Sequence, residues 1–196
     1  NQEYRHPMRA GDITRTSVDR LLTAANHLGV NPEKLLGLLP PENATQDGRV
    51  GLLDYCRMGQ RAIALSGRGE LGLEIARETE VTHLGFGGLA ALSAPTLGQA
   101  LALVTRYEPL SVRSYRGQSR WLAAEGKLQF YSVAPYNDFT RFIVDGMLAT
   151  WAQMITRFAV SDCIREVHIE FSAPDYHARY NDAFPCPVYF ASDENA

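Results

Sequence analysis

The sequence predicts an α+β domain in which several helices precede a small, partly antiparallel sheet. Apolar residues recur at helical spacing through the first half of the chain, whereas residues 112–134 are rich in β-branched and aromatic residues. The strongest apolar repeat runs from Phe139 to Phe158 at three- and four-residue steps and predicts a long amphipathic helix. We expect the order β-β-α-β-α-β after the first helices, with the long helix covering the sheet.

Length and composition set limits on the class of protein. The chain has 196 residues, 45% of them apolar and 21% charged, and a formal net charge of −3. These values exclude a disordered chain and fit one domain over residues 1–196. The slightly negative charge gives no support for binding of a phosphate backbone by this segment. No long apolar run or secretory signal occurs and the three cysteines are far apart, so we expect a cytoplasmic, non-membrane protein with reduced thiols.

The first half of the chain is predicted to form a series of helices. They cover residues 17–28, 32–39, 50–65, 71–76, 83–92 and 97–107. Ser17, Asn31 and Thr96 are suitable N-caps because their side-chain oxygens can accept a hydrogen bond from the first turn. Gly29 and Gly67 suit helix ends, where a left-handed backbone conformation is common.

Three glycines, Gly85, Gly87 and Gly88, lie close together in the fifth predicted helix. They resemble a phosphate-binding loop only in number, because they do not lie between a strand and a helix. Close packing of this helix against a neighbouring helix is therefore predicted.

The second half of the chain contains the predicted strands. They cover residues 112–122, 127–134, 167–171 and 188–190. Glu125 and Gly126 lie between the first two strands and indicate a hairpin turn. Asn137 or Asp138 opens the long helix, and a last short helix ends near Ala183.

No catalytic constellation is recognised in the sequence. Dinucleotide-binding, phosphate-loop and nucleophile-elbow motifs are absent. His168, Asp175 and His177 could be imagined as a metal site, but metal ligands need converging groups and a second shell of partners. We favour His168 on the solvated face of its strand and Asp175 as a helix cap, and we expect no metal and no cofactor.

Four glutamates share helical spacing: Glu70, Glu74, Glu78 and Glu80. Acid–base chemistry requires burial that separates the pKa values of two carboxylates, and nothing in the sequence predicts such burial here. A solvated helix face is therefore favoured. Cys56 has no evident base beside it, which a nucleophilic thiol needs.

The density of aromatic and arginine residues suggests a ligand pocket between the hairpin and the long helix. Such pockets are mostly apolar and contain a few polar anchors. The candidate ligand-binding residues are Arg57, Tyr115, Trp121, Phe130, Tyr131, Arg141 and Trp151. An open alternative is that the aromatic residues simply form core, as they do in most domains.

Two segments resemble a known family. Residues 84–101, with the sequence LGFGGLAALSAPTLGQAL, and the following Arg106-Tyr107 resemble the signature LGxLGxxxLSSPTLGEAL…RY. Residues 184–190, FPCPVYF, followed by Asn195, resemble F-x-CPV-x-F…N. These signatures mark the N-terminal, arabinose-binding-type domain of AraC/XylS-type transcription regulators. Gly87-Gly88 and Ala94 depart from the most common pattern.

This resemblance implies a sensor and dimerisation domain. In such regulators two helix-turn-helix units follow it and bind promoter DNA. Those units are missing from this sequence, so we expect a fragment of a longer regulator. The implied partners are a small-molecule effector such as an amino acid or fatty acid, a second copy of the chain, and promoter DNA only through the missing domain.

Two other features of this interpretation stay open. Residues 84–92 or the helix from Thr96 to Tyr107 could supply the dimer interface. The alternatives to effector sensing are an effector-independent dimerisation domain and a small enzyme that uses Cys56 or a carboxylate.

Overall fold

The computed structural model describes residues 11–39, 48–114, 117–132, 137–138, 140–159 and 162–196. The fold is α+β, as predicted, and about 54% of the described residues are helical. The α-helices are α1 (Arg15–His27), α2 (Glu33–Leu36), α3 (Leu52–Ser66), α4 (Leu71–Arg77), α5 (Gly85–Leu92), α6 (Leu97–Ser111), α7 (Arg141–Phe158) and α8 (Tyr180–Ala183). Short 3₁₀ helices cover Val81–Leu84 and His177–Arg179. No helix in these ranges is both long and apolar enough to cross a membrane.

The described strands form three small sheets, whereas the sequence predicted one. They are β1 (Gly11–Thr14), β2 (Arg49–Gly51), β3 (Val112–Ser114), β4 (Gly117–Leu122), β5 (Lys127–Ser132), β6 (Val167–His168) and β7 (Val188–Tyr189). β1 lies between β2 and β3 and is antiparallel to both. β4 and β5 form an antiparallel hairpin, and β6 pairs with β7 in parallel. The predicted strand over residues 112–122 is thus divided, because its two ends pair with different partners.

The hairpin and several helix signals agree with the sequence prediction. Ser17 is an exception, because α1 begins at Arg15 after Thr14 and Ser17 lies inside the helix. Trp121 pairs with Leu128 across the hairpin, and the turn contains Gly126 with φ 62°. Gly29 has φ 84° just after α1, and Thr96 Oγ1 accepts a hydrogen bond of 3.3 Å from the Gln99 nitrogen at the start of α6. These predictions are correct because turn and cap chemistry is local.

Two apolar clusters form the core. One involves α1, α3 and the β1–β3 sheet, and the other involves α5, α6, α7 and the hairpin. α4 and α7 cross between them: Phe142 belongs to the first cluster and Leu148 to the second.

Glycines permit the close helix packing that the sequence predicted for α5. A Cβ atom at Gly87 would lie 3.2 Å from Val104 of α6, and a Cβ atom at Gly88 would lie 1.8 Å from the Val81 carbonyl oxygen. The second distance is impossible for a real side chain, so α5 can pack against the preceding 3₁₀ turn only with glycine at this position.

Candidate functional site

A cavity of about 680 Å³ lies between α6, α7, the β4–β5 hairpin and the segment from residue 163 to 168. Its inner wall is formed by apolar residues that are each at most 9% exposed: Leu101, Leu128, Leu148, Trp151 and Ala152. Its rim is polar and carries Glu125, Lys127, Arg165, Glu166, His168 and Glu194. The cavity therefore separates an apolar interior from a charged mouth.

Helical and strand periodicity places these side chains. Leu148, Trp151 and Ile155 recur at three- and four-residue steps and so share one face of α7. Trp121 and Leu128 are cross-strand partners and project from the same face of the hairpin. This face of the hairpin and this face of α7 form opposite walls of the cavity.

Ion pairs hold the rim together. Lys127 Nζ lies 3.0 Å from Glu194 Oε1 and 3.1 Å from Glu125 Oε2, and hydrogen bonds to both carboxylates raise the pKa of Lys127. Gln129 Nε2 donates a hydrogen bond of 2.8 Å to Glu194 Oε2. His168 Nε2 lies 3.2 Å from Glu166 Oε1. The three rim carboxylates are therefore already partnered.

Asn195 joins the rim to the body of the domain. Its side chain is 1% exposed, and its Oδ1 accepts a hydrogen bond of 3.0 Å from the Glu170 nitrogen. Its Nδ2 donates to Glu170 Oε2 at 2.9 Å, and its carbonyl oxygen accepts from the Phe130 nitrogen at 2.8 Å. This residue fixes the segment that carries Glu194 against both the hairpin and the strand β6 region.

The structure brings some of the predicted ligand residues together. Trp121 and Trp151 both line the cavity. Phe130 is buried behind Trp151, with the two rings edge-to-face at 6.3 Å between centroids. Tyr131 alternates with Phe130 along β5, and the Arg120 guanidinium lies 3.6 Å from the centroid of its ring.

The other predicted ligand residues lie away from this cavity or outside the described chain. Arg57 is exposed on α3 and pairs with Asp54 at 2.9 Å. Arg141 pairs with Asp138 at 2.7 Å at the start of α7. Tyr115 lies outside the described residues. The role of each of the seven residues in binding an effector stays a prediction.

Sequence reasoning missed much of the cavity wall. The spacing of Leu148 and Leu128 in apolar patterns marks them as buried but not as pocket residues. Lys127 and Glu194 are 67 positions apart, and no local signal connects them.

A buried carboxylate lies on another part of α7. Asp145 is fully buried and accepts hydrogen bonds from the hydroxyls of Tyr176 at 2.7 Å and Tyr180 at 2.5 Å. Burial raises the pKa of Asp145 to about 6, although the two hydroxyl groups and Arg141 act in the opposite direction. Burial and the neighbouring carboxylate raise the pKa of both tyrosines. This cluster connects α7 to α8 and does not line the cavity.

The histidines and the cysteine that the sequence analysis considered for metal binding or catalysis lie in different parts of the domain. His168 Nδ1 lies 3.2 Å from Ser192 Oγ, whereas His177 Nδ1 lies 3.0 Å from the Pro174 carbonyl oxygen. Cys56 is 2% exposed within the N-terminal apolar cluster. A thiol in this position is inaccessible to a substrate.

Comparison with solved structures shows that the overall fold is similar to that of a known protein. The structure is similar to that of the transcriptional regulator CdpR from Pseudomonas aeruginosa, with a TM-score of 0.57 and 19% identity over 91% of this chain and 53% of that one. The chain thus spans about half the length of that regulator. Comparison with curated protein sequences finds no match.

A family comparison confirms the resemblance predicted from the two sequence motifs. The family described as the arabinose-binding domain of AraC transcription regulator, N-terminal, matches residues 29–196. This match covers most of the chain. The chain belongs to this family of N-terminal regulator domains.

Proposed function

We propose that the domain senses a small organic effector in the cavity and controls DNA binding by a helix-turn-helix region of the full-length regulator. The observation that carries this proposal is the cavity itself, which has an apolar interior and a polar rim. Its volume of about 680 Å³ is within the range that is common for sites of small organic ligands.

The cavity chemistry favours an effector with an apolar body and one polar end. A free sugar would place hydroxyl groups against the buried wall, where each unpaired group costs about 1–3 kcal/mol. Arg165 is exposed at the rim and is suited to a carboxylate. An apolar amino acid or a fatty acid therefore fits the site better than arabinose does.

In this proposal the signal to the DNA-binding region begins with a change in the arrangement of the cavity walls. The walls come from α6, the hairpin, α7 and the segment that contains Glu194. An effector that binds one arrangement of these walls more tightly shifts the population toward it. A tenfold change in activity requires a difference of only about 1.4 kcal/mol between the two arrangements.

Tryptophan fluorescence tests the proposal directly, because both tryptophans of the chain line the cavity. We expect apolar carboxylic acids or apolar amino acids to change the emission saturably and to raise the melting temperature. Trp121→Phe and Trp151→Phe should each remove part of the fluorescence change.

A space-filling variant gives the matched control. Ala152→Phe should fill the cavity and abolish the ligand response, whereas Ala64→Phe on the exposed face of α3 should not. A screen of amino acids, sugars and fatty acids that changes neither emission nor melting temperature would favour an effector-independent dimerisation domain.

Dimerisation forms the second part of the proposal, and the exposed face of α5 supports it. Phe86 is 70% exposed, Leu89 52% and Leu92 53%. Contiguous exposed apolar side chains of this size commonly mark a protein interface. We propose that two copies of the domain pair through this face, within the residue 84–92 segment that the sequence suggested.

A further inference from the structure

The last residue of α1, one residue of α4 and the residue that follows α4 bring together three side chains that commonly bind metals. His27 Nδ1 lies 3.0 Å from Oε1 of Glu78 and 3.8 Å from Oε1 of Glu74. The three potential ligand atoms all lie within 4.8 Å of one another. We propose that His27, Glu74 and Glu78 form a binding site for a divalent first-row transition ion such as Zn²⁺.

The distances between these atoms fit such an ion. In a tetrahedral zinc site with bonds of about 2.0–2.1 Å, neighbouring ligand atoms lie roughly 3.3 Å apart. The two distances from His27, 3.0 and 3.8 Å, lie on either side of that value. We expect side-chain rotation to bring the three atoms, which lie within 4.8 Å of one another, to that spacing. Water can occupy the remaining coordination position, because the His27 side chain is 49% exposed.

The two helices hold the potential ligands in place. Leu21 of α1 and Ile75 of α4 are both buried in the same apolar cluster. Arg20 of α1 donates a hydrogen bond of 2.8 Å to Oγ1 of Thr79, the residue that follows Glu78. The backbone on both sides of the cluster is thus fixed by contacts that do not involve the potential ligands.

Charge also favours a cation at this point. Two carboxylates face one imidazole nitrogen, and a neutral Nδ1–H can donate its proton to only one of them. Arg77 approaches Glu74 through Oε2, at 3.3 Å, and leaves Oε1 directed toward His27. With the imidazole proton on Nε2 instead, a divalent ion would bind both Oε1 atoms and the lone pair of Nδ1. The nitrogen favours Zn²⁺ over Mg²⁺ and Ca²⁺, which prefer oxygen ligands only.

The sequence alone favoured a solvated face for Glu74 and Glu78 because nothing near them predicted burial, whereas in the structure their side chains are only 17% and 27% exposed. In the folded domain the three side chains lie beside the N-terminal apolar cluster, whereas the cavity belongs to the C-terminal one. None of the three lines the cavity, so we expect the ion and an effector to bind at separate places.

Isothermal titration of the metal-free domain with zinc chloride tests this site, with magnesium chloride as the comparison ion. The wild-type domain should bind one zinc ion and gain melting temperature, and magnesium should do neither. His27→Gln and Glu78→Gln should each weaken zinc binding roughly tenfold or more, because each removes a ligand. His177→Gln and Cys163→Ser, which remove other potential zinc ligands, should bind as the wild type does.

Circular dichroism separates loss of the site from loss of the fold. The side chains of His27 and Glu78 are 49% and 27% exposed, so both variants should keep the wild-type spectrum. Zinc isotherms that are unchanged in both variants would overturn the proposal. Absence of saturable zinc binding by the wild-type domain would overturn it as well.

Discussion

Gly72 on α4 lies directly against Gly146 on α7, and a Cβ atom added at Gly72 would come within 2.9 Å of the Gly146 nitrogen. The same atom would lie 2.2 Å from the carbonyl oxygen of Phe142. Real Cβ atoms do not approach backbone atoms so closely. The two helices that join the N-terminal and C-terminal clusters therefore cross only because residue 72 has no side chain.

Replacement of Gly72 by alanine should destabilise the domain. The added methyl group meets backbone atoms, which cannot rotate away, and such overpacking typically costs about 1–3 kcal/mol. Urea denaturation should show the loss as a lower midpoint. Gly98→Ala is the matched control, because its Cβ atom would meet only the Trp121 ring, at 3.7 Å. A wild-type midpoint for Gly72→Ala would contradict this account of the crossing.

The buried carboxylate of Asp145 should make stability depend on pH. Burial raises its pKa in the folded domain to about 6, above the value of about 3.9 for an unfolded chain. The folded state then binds more protons between these two values, so the contribution of Asp145 to stability falls as the pH rises from about 4 to about 6. The loss is on the order of 3 kcal/mol and stays constant above that range.

Asp145→Asn should remove this dependence. We expect the stability of the variant relative to the wild type to increase between pH 4 and pH 7, as measured by urea denaturation at closely spaced pH values. Asp182→Asn, at an exposed position on α8, should follow the wild-type profile. Parallel pH profiles for Asp145→Asn and the wild type would show that burial does not perturb this carboxyl group.

Charged residues on the exposed face of α5 should prevent dimerisation. We expect light scattering at micromolar concentration to give about twice the chain mass of 21.7 kDa for the wild type, and the chain mass for Phe86→Glu combined with Leu89→Glu. Leu65→Glu, on the exposed side of α3, should stay dimeric. A wild-type domain that scatters as a 21.7 kDa particle would exclude this interface for the domain alone.

Removal of the Asn195 side chain should loosen the rim of the cavity. Asn195→Ala leaves the backbone nitrogen of Glu170 without its side-chain acceptor, and loss of such a hydrogen bond costs about 0.5–1.5 kcal/mol. We expect a lower melting temperature and a red shift of tryptophan emission, because the hairpin that carries Trp121 is held by the same segment. Asn181→Ala, on the exposed surface of α8, is the control and should change neither signal.

Local signals made part of the fold predictable. Gly126 marks the hairpin turn, and Thr96 marks the start of α6, because each acts within three or four residues of its own position. The apolar repeat from Phe139 to Phe158 predicts α7, which begins two residues later, at Arg141, and ends at the same residue.

The small β1–β3 sheet was not predictable because its strands are too short to show alternation. β1 contains four residues and β2 three, and each buries only one side chain, Ile13 and Val50 respectively. Their pairing partners lie far away in the sequence, so no local pattern indicates the pairing.

Only part of the candidate site could be predicted, again because some of its contacts join residues that are far apart in the sequence. Trp121 and Trp151 could be proposed from the sequence because they are aromatic residues on a predicted strand and a predicted helix. The rim depends on Lys127 and Glu194, which only the folded chain brings together. His27 at the end of α1 and Glu78 just after α4 are likewise brought together only by the folded chain.

The buried amide of Asn195 has a consequence for genetics. If the domain senses an effector as proposed, a selection for full-length proteins that no longer respond to it would recover substitutions at Asn195 as well as at residues that contact the effector. Such variants would lose the response because the segment that carries Glu194 is destabilised. They should regain it at low temperature or in the presence of stabilising osmolytes. Variants whose new side chain fills the cavity should remain unresponsive under the same conditions.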